Sequence, residues 1–563
     1  MRPRLLFLLL PLLLPTLTLA AGPGVTPPSS EASERALPVP PFATEPSERG
    51  PLLSPSLSTP APPALTPGGT VVQVREFRFS GSTVFTQEEL QAVVAPFQEL
   101  PLSLADLEEI RFRLTRFYVD QGYINSGALP AMVQTQEGVV TFNLVEGTLN
   151  DVLVHGAGRL RPSYLRDRLL RPAGTPMSTD QLQDAFQLLL QDPLFERLNG
   201  VLRPGARPGE SIIDLEVTRA KPYALTFTAD NHLSPSVGEN RGVLAGSLMN
   251  LTGLGDQLGL TAGKSVGHTS LGGSFNLPVT SRNTSLHLQG DHKTSEVQEE
   301  PLDELGIESE SQSFAVGVTH PLIQHANQTL LIGLSFSRHR VENFLLDMPF
   351  SFTSGEELGS STSSAYRFMQ EFTLRGSASV FAFRSTLSLG TGAFNATIHD
   401  DDRPDSHFFS WLAQAQYARK LPKKWGQILL RGDLQQATDS LLPQERFAVG
   451  GASTVRGFRE NFLVLDEGVV CGLEYRYPLM GSSRNSFPGL LEIAPFFDLG
   501  TAWNLGTPSA PLLRSLGVSL LWNVDRRYSL ELTFAQPLKD VEGEQETSLQ
   551  GQGIHFSFTW HLF

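Results

Sequence analysis

Tyr223-Ala224-Leu225-Thr226-Phe227-Thr228-Ala229-Asp230 is the stretch on which the fold turns. Successive side chains of an extended chain point to opposite faces. Tyr223, Leu225, Phe227 and Ala229 therefore look one way, and Ala224, Thr226, Thr228 and Asp230 the other. The pattern returns in Ile428 to Gln435, where Ile428, Leu430, Gly432 and Leu434 alternate with Leu429, Arg431, Asp433 and Gln435. Segments of this kind fill Lys221 to Phe563, each about 9–12 residues long, the length at which a tilted strand crosses a bilayer. Strands of a soluble sandwich run only about five to six. About sixteen segments are predicted, an even number as in bacterial outer-membrane barrels. Short turns at Pro278 to Arg282, Gln324 to Ala326, Leu421 to Trp425 and Val524 to Arg526 alternate with longer connections at Ser295 to Glu310, Val341 to Ser361, Asp400 to Asp405 and Pro537 to Gln552. That sorting separates periplasmic turns from external loops. The chain closes on the aromatic run Phe556, Phe558 and Trp560, with Phe563 one step out of phase.

Outside that region, the first residues read as a secretory signal over 1–21: Arg2 and Arg4, then apolar Leu5 to Leu14, then small residues to Ala21. Beyond it no run approaches the ~20 apolar residues of a spanning helix. A membrane protein of this sequence must therefore be a closed barrel, because every backbone polar group in lipid needs an internal partner. The net charge of -15 argues against nucleic-acid binding, which needs a basic face for the phosphates. The single Cys471 cannot make an internal disulfide.

Residues 22–70, dense in Pro, Ser, Thr and Ala, form a predicted extended linker. A helix around Pro46 to Ser54 has no periodicity behind it. From Val71 the texture changes. Val72, Val74, Phe77 and Phe79 make an extended piece closed by Gly81. Thr86 with Glu89 is a capping box for a first helix, and Ser103 caps a second in which Leu107, Ile110, Leu114 and Phe117 recur at helical spacing. Strands at Ala128 to Met132 and Val139 to Val145 complete a β-α-α-β-β unit over 71–148. The order repeats over 149–219: a strand at Val152 to Val154, helices at Ser163 to Leu170 and Ser178 to Leu190, and strands at Gly200 to Arg203 and Ser211 to Val217. That is an internal repeat with little identity between the copies. The barrel is assigned to 220–563.

Gly450-Gly451-Ala452-Ser453-Thr454-Val455-Arg456-Gly457-Phe458 lies in a long Gly-rich connection between the predicted eleventh and twelfth strands. This segment resembles the loop motif of the two-partner secretion transporters, the TpsB family of ShlB/FhaC/HecB-like haemolysin secretion/activation proteins within the BamA-type superfamily. Gly122-Tyr123-Ile124-Asn125-Ser126, Leu129-Pro130, Gly138-Val139 and Val145-Glu146-Gly147 are similar to the first of that family's two POTRA domains. Asp230-Asn231 followed by Asn250 to Leu258 resembles its barrel start, and Phe496-Phe497-Asp498-Leu499-Gly500 its late-strand motif. The resemblance implies a transmembrane β-barrel of about sixteen antiparallel strands behind two periplasmic α+β POTRA domains.

It further implies that the loop folds into the lumen and that Arg456 pairs with Asp498. The alternation itself puts Phe497 and Leu499 on one wall and Phe496, Asp498 and Gly500 on the other; an Asp on the lipid face would be costly. In a wet lumen such a pair is worth ~1 kcal/mol. The loop motif Val455, Arg456, Gly457 and Phe458, the wall partner Asp498 and the late-strand residues Phe496 and Gly500 are the candidate site. The POTRA domains over 71–219 leave sheet edges to which an extended passenger can add as a strand.

Other signals fall away. Gly259 to Ser265 is one residue short of a phosphate loop and precedes no helix. Arg431-Gly432-Asp433 sits in a strand and reads as a chance adhesion tripeptide. No paired-His metal motif and no nucleophile elbow is present, so neither cofactor nor enzymatic activity is expected. The expected partners are a secreted exoprotein and outer-membrane lipid, with no nucleic acid or nucleotide. The resemblance points to an outer-membrane pore that exports this exoprotein; the alternative is a factor that inserts other barrels.

Overall fold

The computed structural model describes Leu37 and residues 53–55, 72–134, 138–422, 425–481, 489–524, 527–538 and 548–563. The predicted signal over 1–21 and nearly all of the linker lie outside the described residues, as do parts of the turns at Leu421 to Trp425 and Val524 to Arg526 and of the loop at Pro537 to Gln552.

The C-terminal region is a closed antiparallel barrel in which each strand pairs with its neighbour in sequence. Strand 1 (Tyr223–Asp230) meets strand 16 (Ile554–His561) from Thr226↔His561 to Asp230↔Ser557, which closes the cylinder. Closure leaves no open edge, the condition for a sheet in lipid. Leu244, Leu260, Phe314, Leu334, Phe368, Leu430 and Phe534 stand exposed on the outer wall, the apolar band that lipid tails cover. The sixteen-strand architecture expected from the sequence is the one observed, with a two-residue strand, Met348–Pro349, added beyond strand 7 (Gln328–Leu345).

The strands are not uniformly 9–12 residues. Strand 6 (Ile307–Gln324) and strand 7 run 18 residues each. Much of what the sequence suggested as loop at Ser295 to Glu310 and Val341 to Ser361 is paired ladder, with Glu308↔Phe344 and Glu310↔Glu342 in register. Polar side chains carry these strands past the lipid into water, where apolar alternation no longer marks them.

Before the barrel lie two small units. In the first, strand Glu76–Ser80 pairs in parallel with Val139–Val145. Helices Gln87–Val94 and Leu104–Asp120 pack Leu90, Leu107, Ile110 and Leu114 against Phe77, Phe79 and Phe142. Both helices start at capping boxes, Thr86 with Glu89 and Ser103 with Asp106, each worth roughly 1 kcal/mol. In the second unit, helices Pro162–Ala173 and Thr179–Gln191 cover strands Thr148–His155, Phe195–Pro204 and Glu210–Arg219. Its core holds Leu165, Leu169, Phe186, Ile213 and Leu215. Leu53–Pro55 is a short strand, not the end of a helix, and lies parallel to Gly200 to Leu202 on that sheet's edge.

The second unit is seated under the barrel. The Arg161 amide donates to the Gly253 carbonyl at 2.9 Å, and Arg168 Nε donates to Asn283 Oδ1 at 2.9 Å. The Asp184 carboxylate accepts from the Ala326 amide at 2.9 Å and lies 2.8 Å from His325 Nδ1. These are the short turns after strand 2 (Arg241–Met249), strand 4 (His268–Pro278) and strand 6, so the short-turn rim faces the N-terminal units.

Candidate functional site: a loop docked in the barrel lumen

The long connection joins strand 11 (Gln427–Ala437) to strand 12 (Glu467–Met480). Phe447–Val449 and Leu463–Leu465 pair antiparallel and make it a hairpin. Gly450, Gly451 and Gly457 at its tip have φ of 111°, 100° and 91°, values that side-chain-bearing residues rarely adopt. Gly457 also passes close to the wall: a Cβ there would lie 2.9 Å from that of Ala535. The tip is apolar around its charge. Phe447, Val449, Val455 and Phe458 pack on Val470, Ala502 and Leu513 of the wall. Gly500 makes room, since a Cβ there would meet methyls of Val449 and Val455 at 2.8 Å.

Arg456 is held on three sides. Its Nε donates to Asp498 Oδ2 at 2.7 Å and its Nη2 to Asp498 Oδ1 at 3.1 Å. Nη1 donates to Glu474 Oε2 at 2.5 Å. The guanidinium carbon sits 3.4 Å from the centroid of the Phe496 ring, a cation–π contact. Asp498 and Phe496 are inward residues of strand 13 (Leu490–Trp503), and Glu474 of strand 12. Missing side chains shape the pocket: a Cβ on Gly472 would lie 2.7 Å from Asp498 Oδ1, and one on Gly517 2.3 Å from the Phe496 ring.

The structure thus brings together Val455, Arg456, Gly457, Phe458, Phe496, Asp498 and Gly500. It departs from the sequence reading in the setting. Asp498 is 0% exposed and Arg456 5%, so the pair is shielded rather than bathed by a wet lumen. Breaking such a buried pair costs several kcal/mol, roughly 3–5, instead of the ~1 of a solvated one.

Three contributors escaped the sequence reading. Glu474 completes the fork and is itself bridged to Arg476 at 2.6 Å. Arg431, set aside as part of a chance tripeptide, lies 3.2 Å from Asp498 and donates to the carbonyls of Ser453 and Thr454 at 2.6 and 2.5 Å. His555 Nε2 accepts the Gly457 amide at 3.1 Å. Arg431 was legible, because the alternation of strand 11 had already put it on the wall opposite Leu430. Glu474 and His555 carry no motif.

The loop is also tied above its tip. Glu445 accepts from Arg367 Nη2 at 2.8 Å through both oxygens. Arg459 Nη2 donates to Glu299 Oε2 at 2.6 Å, and the Glu460 amide to Gln550 Oε1 at 2.8 Å. This arrangement positions a segment inside the barrel, against its wall. Its carboxylates are engaged by arginines.

Residues 209–521 match the family model described as haemolysin secretion/activation protein ShlB/FhaC/HecB, and 72–147 match a POTRA domain of ShlB type. The outer membrane transporter CdiB of Dickeya dadantii is 24% identical over 415 residues, 70% of each chain. The heme/hemopexin transporter protein HuxB of Haemophilus influenzae is 22% identical over 479 residues, 80% of each. In structure, CdiB from Escherichia coli aligns with a TM-score of 0.67 at 20% identity, covering 90% of this chain and 94% of that one. BamA from Haemophilus ducreyi lacking POTRA domains 1–3 aligns with a TM-score of 0.52 at 14% identity, covering 87% and 99%. These structural likenesses establish a shared fold.

Proposed function

Because the chain belongs to the ShlB/FhaC/HecB family of haemolysin secretion/activation proteins, we propose that its barrel exports a partner exoprotein and that the Arg456 loop gates the lumen. The chain sits in the bacterial outer membrane with its N-terminal units in the periplasm, and its work is secretion. The POTRA units, assigned to 71–148 and 149–219, receive the passenger unfolded and read its backbone by strand addition. Outer-membrane lipid surrounds the barrel, and neither nucleic acid nor nucleotide takes part.

The observation that carries the gating reading is a cation on a loop docked inside the barrel, held by two carboxylates of the wall: Arg456 against Asp498 and Glu474. A loop tip held by a cluster of charge-assisted bonds can switch between two discrete states, docked and released. Competition by the arriving polypeptide for the space under the loop shifts that balance. No fuel is needed if the passenger folds outside and cannot return.

The test is co-expression with an exoprotein encoded beside this chain. The exoprotein should reach the medium only when the chain is present and stay in the periplasm without it. Equal release in both strains would overturn the secretory reading, and loss of other barrels from the membrane would favour an assembly role.

A further inference from the structure

The loop tip packs against one side of the barrel wall. Its tip anchors come from strands 11–13 and from strand 16. Across from them, three cavities lie one above another along strands 2–5, where strand 3 is Gln257–Lys264 and strand 5 is Ser285–Glu296. The lowest, of about 980 Å³, opens between the helices of the second POTRA unit and the periplasmic rim, and is lined there by Gln257, Asn276 and Ser285. The middle one, of about 510 Å³, is lined by Gly259, Thr261, Gly272, Ser274 and Gln289. The uppermost holds about 20 Å³ between His268, Lys293 and Ser295, and is covered by Glu460 and Asn461 of the long loop.

The register joins these spaces into one wall. Gln257↔Asn276, Gly259↔Ser274 and Thr261↔Gly272 are successive inward pairs that run from the lowest cavity to the middle one. The space narrows outward, from a wide vestibule to a volume fit for a single water. We propose that the exported polypeptide travels along the inner face of strands 2–5 and is stopped at the outer end by the Glu460–Asn461 stretch. The proposal rests on the secretory reading above and names the route within it. Hydroxyls and amides on this wall can replace water around a passing extended backbone. Leu260 and Leu271, the large apolar residues at the middle cavity, are exposed on the outer wall, and the inward residues there are small or polar. Arg459, paired with Glu299 from the loop beyond strand 5, holds the stop down.

The experiment uses the full chain with Cys471→Ser and one new cysteine, in planar bilayers. Thr261→Cys and Ser274→Cys lie on the proposed route. Thr386→Cys lies on the inner face of strand 9 (Ser379–Gly390). The probe is a bulky cationic methanethiosulfonate, with modification verified by mass. During openings in which the stop is released, ion current through the two route variants should fall by at least about half on modification, while that through Thr386→Cys stays unchanged. Equal loss at Thr386→Cys, or no loss at Thr261→Cys and Ser274→Cys despite complete modification, would overturn the route. The readout needs no passenger. If the route variants block current while the wild-type chain exports nothing in cells, the secretory reading fails and the route through the barrel stands.

Discussion

Replacing Arg456 by Ala removes the donor of three side-chain hydrogen bonds, to Asp498 at 2.7 and 3.1 Å and to Glu474 at 2.5 Å, and empties the space over Phe496. The two carboxylates keep partial compensation, Asp498 from Arg431 at 3.2 Å and Glu474 from Arg476 at 2.6 Å. The cost therefore falls at the low end of the range for breaking a buried ion pair, about 3 kcal/mol. That is about two orders of magnitude in the docking equilibrium of the loop tip. The barrel ladder is untouched, because strands 12 and 13 pair through their backbones from Glu467↔Trp503 onward. The variant should enter the membrane, show the heat-dependent gel mobility of a folded barrel, and lose most export. Chymotrypsin added outside should cut it after Phe458 or Phe462, residues that are buried or half-buried in the docked loop. A variant whose loop resists protease as well as the wild type, and which exports normally, would show that Arg456 does not hold the loop in place.

Arg431→Met leaves Asp498 its bonds to Arg456 but frees the Ser453 and Thr454 carbonyls, so loop protease sensitivity should rise by less than in Arg456→Ala. Glu474→Gln, which keeps the shape and loses the charge, should weaken docking by roughly 1–3 kcal/mol and raise the frequency of spontaneous channel openings in bilayers. Asp256 stays ionised below the usual carboxylate range: burial opposes its charge, but hydrogen bonds from Thr252 and Leu251 outweigh burial. Its contribution to the turn under the second POTRA unit is complete above pH ~4 and is lost as pH falls through the lowered value; amide exchange of Leu251 and Thr252 should accelerate only in acid, and Asp256→Asn should abolish that dependence. Deleting 71–218 should leave a folded, heat-modifiable barrel that exports nothing; export by the deletion would show the POTRA units dispensable.

The barrel was legible because lipid outside and small or polar groups inside impose a two-residue period that Tyr223 to Asp230 displays openly. The helix caps Thr86 and Ser103 were legible because a helix end needs a side-chain acceptor, whereas the reciprocal bond from the Ser103 amide to the Asp106 carboxylate emerged only in the structure. The ends of strands 6 and 7 were not, since charged residues such as Glu310 and Glu342 form ladder bonds with the same backbone as any other. The pairing of Arg456 with Asp498 followed from a family resemblance; alternation supplied only the wall on which Asp498 sits. Glu474 depends on the register of strands 12 and 13, where it faces Phe496, and no local pattern encodes that register. The shielding of the charges depends on how the apolar tip, Val455 and Phe458, seals against Gly500 and Leu513.

The gating claim is tested most directly by locking the loop tip to the wall. A Cβ built at Gly500 lies 2.8 Å from a methyl of Val455, within reach of a disulfide, whose Cβ atoms stand about 3.5–4.5 Å apart. With Cys471→Ser, and Val449→Ala to remove the second methyl that a Cβ at Gly500 would meet, the pair Val455→Cys and Gly500→Cys should stop export of the partner when oxidised and restore it when reduced. Undiminished export through a pore whose tip is shown to be cross-linked would contradict the account.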